Sequence, residues 1–412
     1  MTRRVVITGM GTLNPLAGDV KGFWQALLAG KSGIGLIQQF DTAAFKVHIG
    51  GEVKDYKPES VLEPKTVKHL DRFAQFAMIA AIEAVRDSGI DFKKEDPYRC
   101  GTIIGSGIGG FNEFETQHRR LIESGPGRIS PFLIPKLMSN AAPGNISILF
   151  GLAGPNTCVA TACASAANAV ADALHTIRYG QADVMITGGT ESCVTPMGLG
   201  GFIAARALSN RNDAPERASR PFDKDRDGFV MGEGAGILVV EELEHAKKRG
   251  ARIYAELLGA GASADAHHIT APHPCGFGAI RAMRVALQDG GLNPEDIQYV
   301  NAHGTSTELG DEAETKAVKE LFGAHAKKLA VSSTKSMIGH TLGASGGIEL
   351  IATVLSIANK AVHPTINLDT PDPACDLDYV PNKAREMTVR RAISNSFGFG
   401  GHNCCLAVGE LN

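Results

Sequence analysis

A cysteine at the mouth of a helix is the first group in this chain with the means to do chemistry. Residues 158–174 read CVATACASAANAVADAL, with Cys163 between an Ala-Thr-Ala segment and an alanine-rich helical run. The first N–H groups of a helix are unpaired, and with the macrodipole they favour an anion. The expectation is a Cys163 thiol lowered toward thiolate, with neighbours small enough to admit a long substrate. Cys158 belongs to the preceding segment and is expected to be dispensable. The alternative, general for any single cysteine, is a small hydrophobe in a tight core.

Three further motifs carry suitable groups. NAHGTSTELGDE (301–312) presents His303 after a predicted strand; SSTKSMIGHTLGASGG (332–347) brings Lys335 and His340 around a turn into a Gly/Ala-rich helix start. NSFGFGGHN (395–403) alternates glycine with phenylalanine, so a backbone N–H can approach a substrate oxygen with Phe399 as a gate. Read singly, these are a turn histidine, a solvated loop and a glycine-rich turn. Together, one thiol, two imidazoles and a lysine suggest acyl-thioester chemistry. The thiol accepts an acyl group, and two neutral imidazoles donate N–H bonds to a thioester carbonyl as it becomes enolate-like. That is the logic of carbon–carbon bond formation by decarboxylative condensation. The GSGIGG fragment at 105–110 lacks a ribose-binding acid in the expected place, and a nucleotide fold is rejected.

The elements that must hold these groups alternate. Residues 5–10, 101–107, 183–189, 234–243, 298–304 and 329–335 read as strands, and 73–89 as a helix with a glycine stop. Two segments repeat in shape and order: 81–107 with 283–305, and 164–184 with 344–362. An α/β fold built by duplication follows, with halves 1–250 and 251–412. The loops 111–140 and 205–230 read as insertions in the first half that form a cap or an interface. At 412 residues the chain exceeds one small core. Its net charge of −3 provides no global field for nucleic acid. Eight scattered cysteines without a zinc pattern, no h-region and no run of 18 apolar residues point to a reduced, cytoplasmic protein without a membrane span.

VVITGMGTLNPL, ATACASA, SRPFDKDRDGFVMGEGAG, NAHGTST, STKSMIGH and NSFGFGGHN, in this order over nearly the whole chain, resemble the β-ketoacyl-[acyl-carrier-protein] synthases, nearest the synthase II branch of bacterial fatty acid synthesis. The resemblance implies a duplicated thiolase-like fold in αβαβα layers, a homodimer, and a Cys163, His303 and His340 triad with Lys335 in support. It implies an oxyanion hole from the N–H groups of Cys163 and Phe399, an acyl pocket at Ile108 and Phe202, and phosphopantetheine contacts at Thr305, Thr307 and Thr270, with Ser306 a further candidate. Asp311 and Glu314 take supporting positions, Glu349 lies near Lys335, and a structural Na⁺ or K⁺ sits near Asn301, Glu349, Ser394 and Asn395. No redox cofactor is implied; the phosphopantetheine arm arrives on the acyl carrier protein.

Acyl carrier proteins are acidic, so a basic patch is expected. Lys65, Lys68 and Arg72 share one face of a predicted helix, and Arg128 and Arg206 match positions at the pocket entrance. The implied reaction joins an acyl group on Cys163 to malonyl-carrier protein. A polyketide-type ketosynthase and a non-catalytic carrier-binding scaffold are the alternatives.

Overall fold

The computed structural model describes residues 3–411. Ten strands form one sheet. The first half contributes β1 (Val5–Leu13), β2 (Cys100–Gly105), β3 (Asn156–Val159), β4 (Val184–Glu191) and β5 (Gly234–Glu242). The second contributes β6 (Ala255–Ala264), β7 (Tyr299–Asn301), β8 (Ala330–Ser332), β9 (Arg391–Gly398) and β10 (His402–Gly409). The strand order is β8-β7-β9-β10-β6-β1-β5-β4-β2-β3. Each half therefore runs third, second, fourth, fifth, first, and the repeat seen in the sequence is a repeat of topology. The three strands toward each outer edge pair in parallel, and the two toward the middle antiparallel. The halves join where Val6 and Ile7 of β1 face Glu256 and Ala255 of β6.

Seven helices complete the frame: α1 (Arg72–Ser88), α2 (Phe111–Ser124), α3 (Ala141–Phe150), α4 (Ser165–Arg178), α5 (Phe277–Asp289), α6 (Glu308–Phe322) and α7 (Ser345–Asn359). Helix α1 packs only on first-half strands and α5 only on second-half strands, whereas α4 and α7 touch each other and strands of both halves. The two five-stranded halves of this one sheet lie on either side of the middle helices, so the layers run helix, half-sheet, helix, half-sheet, helix. The middle layer is thin because α4 buries alanines at 166, 167, 169, 171 and 173, which let a helix lie close on both half-sheets. Leu342–Asn359 is long and apolar enough to cross a membrane, but it is a core helix with 89% of its residues buried.

Parallel strands need crossover connections, and the crossovers put the reactive loops together. Cys163 follows β3, His303 follows β7, Lys335 and His340 follow β8, and Phe399 ends β9. These are carboxyl ends of parallel strands, where open α/β sheets place their crevices. Segment 111–140 is not loop: it holds α2 and a short helix Leu133–Leu137. With α3 it exposes Ile122, Ile134 and Ile148. Segment 205–230 lines the crevice through Ala205, Arg206, Ala207, Arg226, Asp227 and Phe229, and the N–H of His340 donates to the Val230 carbonyl at 2.7 Å.

Candidate active site

The nucleophile turn is strained and repeated. Ala162 has φ +50° and Leu342 has φ +49°, values uncommon for residues with a Cβ. Each begins a 3₁₀ turn, Ala162–Ala164 or Leu342–Ala344, that feeds α4 or α7. Serines brace both. Ser165 Oγ accepts the Thr161 N–H (2.9 Å) and donates to the Ala162 carbonyl (2.7 Å). Ser345 Oγ lies 3.0 Å from Nδ1 of His340 and 3.1 Å from Thr341 Oγ1. The duplication thus matches Cys163 with Gly343, and only the first copy carries a thiol.

The Cys163 side chain is buried, and the backbone N–H groups of Phe399 and of Cys163 itself address the sulfur. The expected thiolate is not the resting form. Burial pushes the Cys163 thiol up to about 11, and Glu191 adds to the rise. The Lys335 charge and the two N–H groups pull the other way without reversing it. The helix start favours an anion, but the two halves close over the sulfur and remove the water that would solvate one.

The imidazoles stand with ring centroids 5.3 Å apart, nearly perpendicular. Burial and the Lys335 charge hold both well below the ordinary histidine range, and His340 adds to the effect on His303. That direction favours the neutral form of both rings. The Leu342 N–H donates to Nδ1 of His340 at 3.3 Å, so the neutral ring carries its proton on Nε2. Phe229 packs edge-on against His340, and Phe397 against His303. Glu314 accepts the N–H groups of His303 (2.9 Å) and Gly304 (2.8 Å) and the amide of Asn395 (3.1 Å). Asp311 accepts the N–H groups of Phe222 (2.9 Å) and Ser306 (3.2 Å) with Arg226 at 3.6 Å.

Lys335 is buried behind the cavity and ion-pairs with the fully buried Glu349. Burial raises the Glu349 carboxyl and Lys335 opposes the rise. Asn301 Oδ1, Glu349 Oε2 and Asn395 Oδ1 are buried without a partner among the described residues. The Asn301 amide donates to Tyr299 (3.2 Å) and Thr334 (3.1 Å), which turns Oδ1 away from them. Ser394 stands opposite Asn301 in register. Orphaned oxygen acceptors on three of the four expected residues fit a small hard cation.

One cavity of about 580 Å³ is lined by Cys163, His303, His340 and Phe399 together with Ile108, Phe202, Thr270, Thr305, Thr307 and Arg206. Ser306 is absent from its wall: the Oγ accepts the Arg220 N–H at 3.0 Å, and the residue is buried with φ +69°. Cys158 is not on the wall either. Lys65, Lys68, Arg128 and Arg206 are exposed. Arg72 overturns the expected single face. The helix Pro64–His69 ends at an extended Leu70, and Asp71 caps a new helix. Arg72 turns inward, pairs with the buried Glu233 at 2.6 Å and stacks over Tyr56 and Phe76. Its partner lies 161 residues away, where no local pattern reveals it.

Sequence reasoning missed Glu191, Ser345, Phe229 and Gly398. A Cβ on Gly398 would stand 2.8 Å from the Thr161 carbonyl and 3.1 Å from the Cys163 nitrogen, so glycine lets β9 reach the nucleophile turn. The available signals were an acidic residue ending a buried strand (Glu191) and the repeated Ala-Ser of the helix starts.

Residues 2–246 match the model of the β-ketoacyl synthase N-terminal domain, and 254–369 that of its C-terminal domain. The 3-oxoacyl-[acyl-carrier-protein] synthase 2 of Synechocystis sp. is 52% identical over 405 residues, covering 98% of this chain and 97% of the relative. That of Coxiella burnetii is 52% identical over 409 residues, 99% of each, and that of Staphylococcus aureus 53% over 404 residues, 98% of this chain and 97% of the relative. Among solved structures, the ketosynthase complex AntDE:AntF superposes with a TM-score of 0.94 at 34% identity. A β-ketoacyl synthase from Burkholderia phymatum gives 0.93 at 33%. Both alignments cover 100% of both chains. With its repeated topology, its thiol beside two neutral imidazoles and these relatives along almost its whole length, the chain belongs to the β-ketoacyl synthase family.

Proposed function

We propose that the protein is a 3-oxoacyl-[acyl-carrier-protein] synthase of fatty acid elongation, condensing an acyl group held on Cys163 with malonyl-carrier protein and releasing CO₂. The observation that carries this reading is the convergence, in one cavity, of the Cys163 sulfur, two backbone N–H donors and two imidazoles kept neutral. In the first stage the Cys163 sulfur attacks the acyl thioester, the N–H groups of Cys163 and Phe399 hold the oxyanion, and the thiol proton leaves with the departing phosphopantetheine sulfur. In the second, the carboxylate of malonyl-carrier protein is lost as CO₂ while His303 and His340 donate to the thioester oxygen that becomes an enolate. The carbanion attacks the acyl-enzyme, and the Cys163 sulfur departs and takes one proton from solvent, which its raised affinity favours. Burial and the Lys335 charge keep the imidazoles neutral, so they donate without becoming charged.

Thr270, Thr305 and Thr307 contact the phosphopantetheine arm, and Ile108 and Phe202 shape the acyl end. Asn301, Glu349 and Asn395 with Ser394 hold a monovalent cation that would fix the charge around Lys335. Lys65, Lys68, Arg128 and Arg206 receive the carrier protein. Two halves meeting near residue 250 form the working unit, supported by their identical strand order. The protein works in the cytoplasm as a homodimer, paired through the edge strand β3 and the exposed apolar residues of 111–150. A polyketide ketosynthase is the second reading, supported by the ketosynthase with a bound hexaketide among the structural neighbours. The higher identity of the synthase 2 relatives favours fatty acid elongation. Incubation with labelled acyl-carrier protein is expected to place one acyl group on Cys163 and, with malonyl-carrier protein, to yield a 3-oxoacyl product two carbons longer. An adduct on Cys158, or none, refutes the reading.

A further inference from the structure

Strand β4 ends on Glu191, a carboxylate with no exposed surface whose residue lines the same cavity as Cys163. Its Oε1 accepts from Ser106 Oγ (3.0 Å) and the Ile108 N–H (3.3 Å); Oε2 accepts from the N–H groups of Gly107 (2.7 Å) and Gly343 (3.1 Å). Burial and this neighbouring carboxylate push the Cys193 thiol well above the usual thiol range. Burial raises the Glu191 carboxyl, and acceptance at both oxygens, the pattern of an ionised carboxylate, opposes that rise. The N–H groups of the glycine-rich 105–110 segment are therefore spent inward rather than offered to a phosphate.

These bonds join two turns from different halves of the chain. Turn 106–108 carries Ile108 into the cavity. Turn 342–344 carries the Leu342 N–H that sets the proton of His340. A Cβ on Gly107 would stand 2.9 Å from Glu191 Oε2, and one on Gly343 only 2.4 Å. Both turns are pulled tight onto the carboxylate.

We propose that Glu191 is a positioning residue that couples the acyl-pocket turn to the His340 turn, so that one carboxylate sets both primer-length preference and the readiness of His340 for condensation. This deepens the function proposed above and rests on it. Glu191 also faces Cys163 as the negative charge opposing Lys335; the remaining influences there are the N–H groups of Phe399 and Cys163 and two neutral imidazoles.

The test uses the full-length protein and three variants: Glu191→Asp, Glu191→Gln and Gly107→Ala. Single-turnover acylation, condensation of the preformed acyl-enzyme, the primer-length profile and the pH dependence of Cys163 alkylation by iodoacetamide are measured for each. Asp keeps the charge but is too short to hold both turns. It is expected to slow condensation about tenfold more than acylation, to flatten the primer-length profile, and to leave the alkylation midpoint in place. Gln keeps the size but removes the charge. It is expected to move the midpoint down by about one pH unit, because a nearby negative charge no longer opposes thiolate formation. Should Gln fail to fold, Gly107→Ala, whose Cβ presses chiefly on the carboxylate, is expected to change the primer profile in the Asp direction. Equal losses in both stages with an unchanged profile and midpoint would mean that Glu191 only supports the fold, and would overturn the proposal. A wild type that fails to acylate Cys163 counts against the proposed function; a working wild type with indifferent variants counts against the coupling alone.

Discussion

Gly398→Ala isolates the oxyanion hole without touching a charged or nucleophilic group. Gly398 has φ −120°, a conformation open to alanine, so the substitution acts by volume alone. The new Cβ would meet the Thr161 carbonyl at 2.8 Å and the nitrogens of Cys163 and Ala164 at 3.1 and 3.3 Å. All three are backbone atoms that cannot swing aside. Restoring ordinary contact at about 3.4 Å requires the end of β9 to retreat from the turn by roughly 0.6 Å, which lengthens a hydrogen bond of ~2.9 Å to ~3.5 Å and beyond useful strength. Phe399 follows directly, so its N–H is the donor displaced. Loss of one oxyanion donor costs about 10²–10³ in rate, near 3–4 kcal/mol. Rapid-quench acylation of Cys163, read by intact mass, is expected to slow by that factor. Decarboxylation of malonyl-carrier protein, assigned to His303 and His340, should change far less. Wild-type acylation by a folded variant with an unchanged melting temperature would show that the Phe399 N–H does not hold the oxyanion.

Four other outcomes follow from the structure. Lys335→Met removes a charge that depresses both imidazoles, so their affinity for protons rises; the variant is expected to lose condensation at a higher pH than wild type as pH falls from 8 to 5, and coincident profiles would contradict this electrostatic role. Lys65→Glu with Lys68→Glu is expected to raise KM for the carrier protein, most at low salt, whereas Arg72→Ala should leave the buried Glu233 carboxylate without its counter-ion, held only by Gln39, Val53 and Ser192, and cost about 3 kcal/mol in urea unfolding. His245 lies between Glu241 (2.9 Å) and Glu95 (3.0 Å) and is raised to about 9. Its folded affinity for a proton exceeds the unfolded one, so its stabilisation is complete below about pH 6.5 and fades as pH rises through about 9; the urea midpoint of wild type should converge on that of His245→Gln over this window.

The reactive groups were legible in the sequence because each is announced locally. His303, Lys335 and His340 follow short apolar strands and a break in pattern, Cys163 opens an alanine-rich helix and Phe399 lies in a Gly-Phe alternation, and the duplication showed in the order of two weak repeats. Strand β6, AELLGAGASA, escaped notice because alanine and glycine carry no β-branched signal. The protonation of Cys163 was decided by tertiary structure. A helix start is a local feature that favours thiolate, but desolvation comes from two halves closing over the sulfur and outweighs it. Arg72 was misread for the same reason: spacing puts it on a basic face, while Glu233 draws it inward across 161 residues. Glu191 gathers donors from residues 106–108 and from Gly343, 152 positions away. Local patterns record what a residue can do; which charge, oxygen or wall it meets is set by strands adjacent in space and remote in the chain.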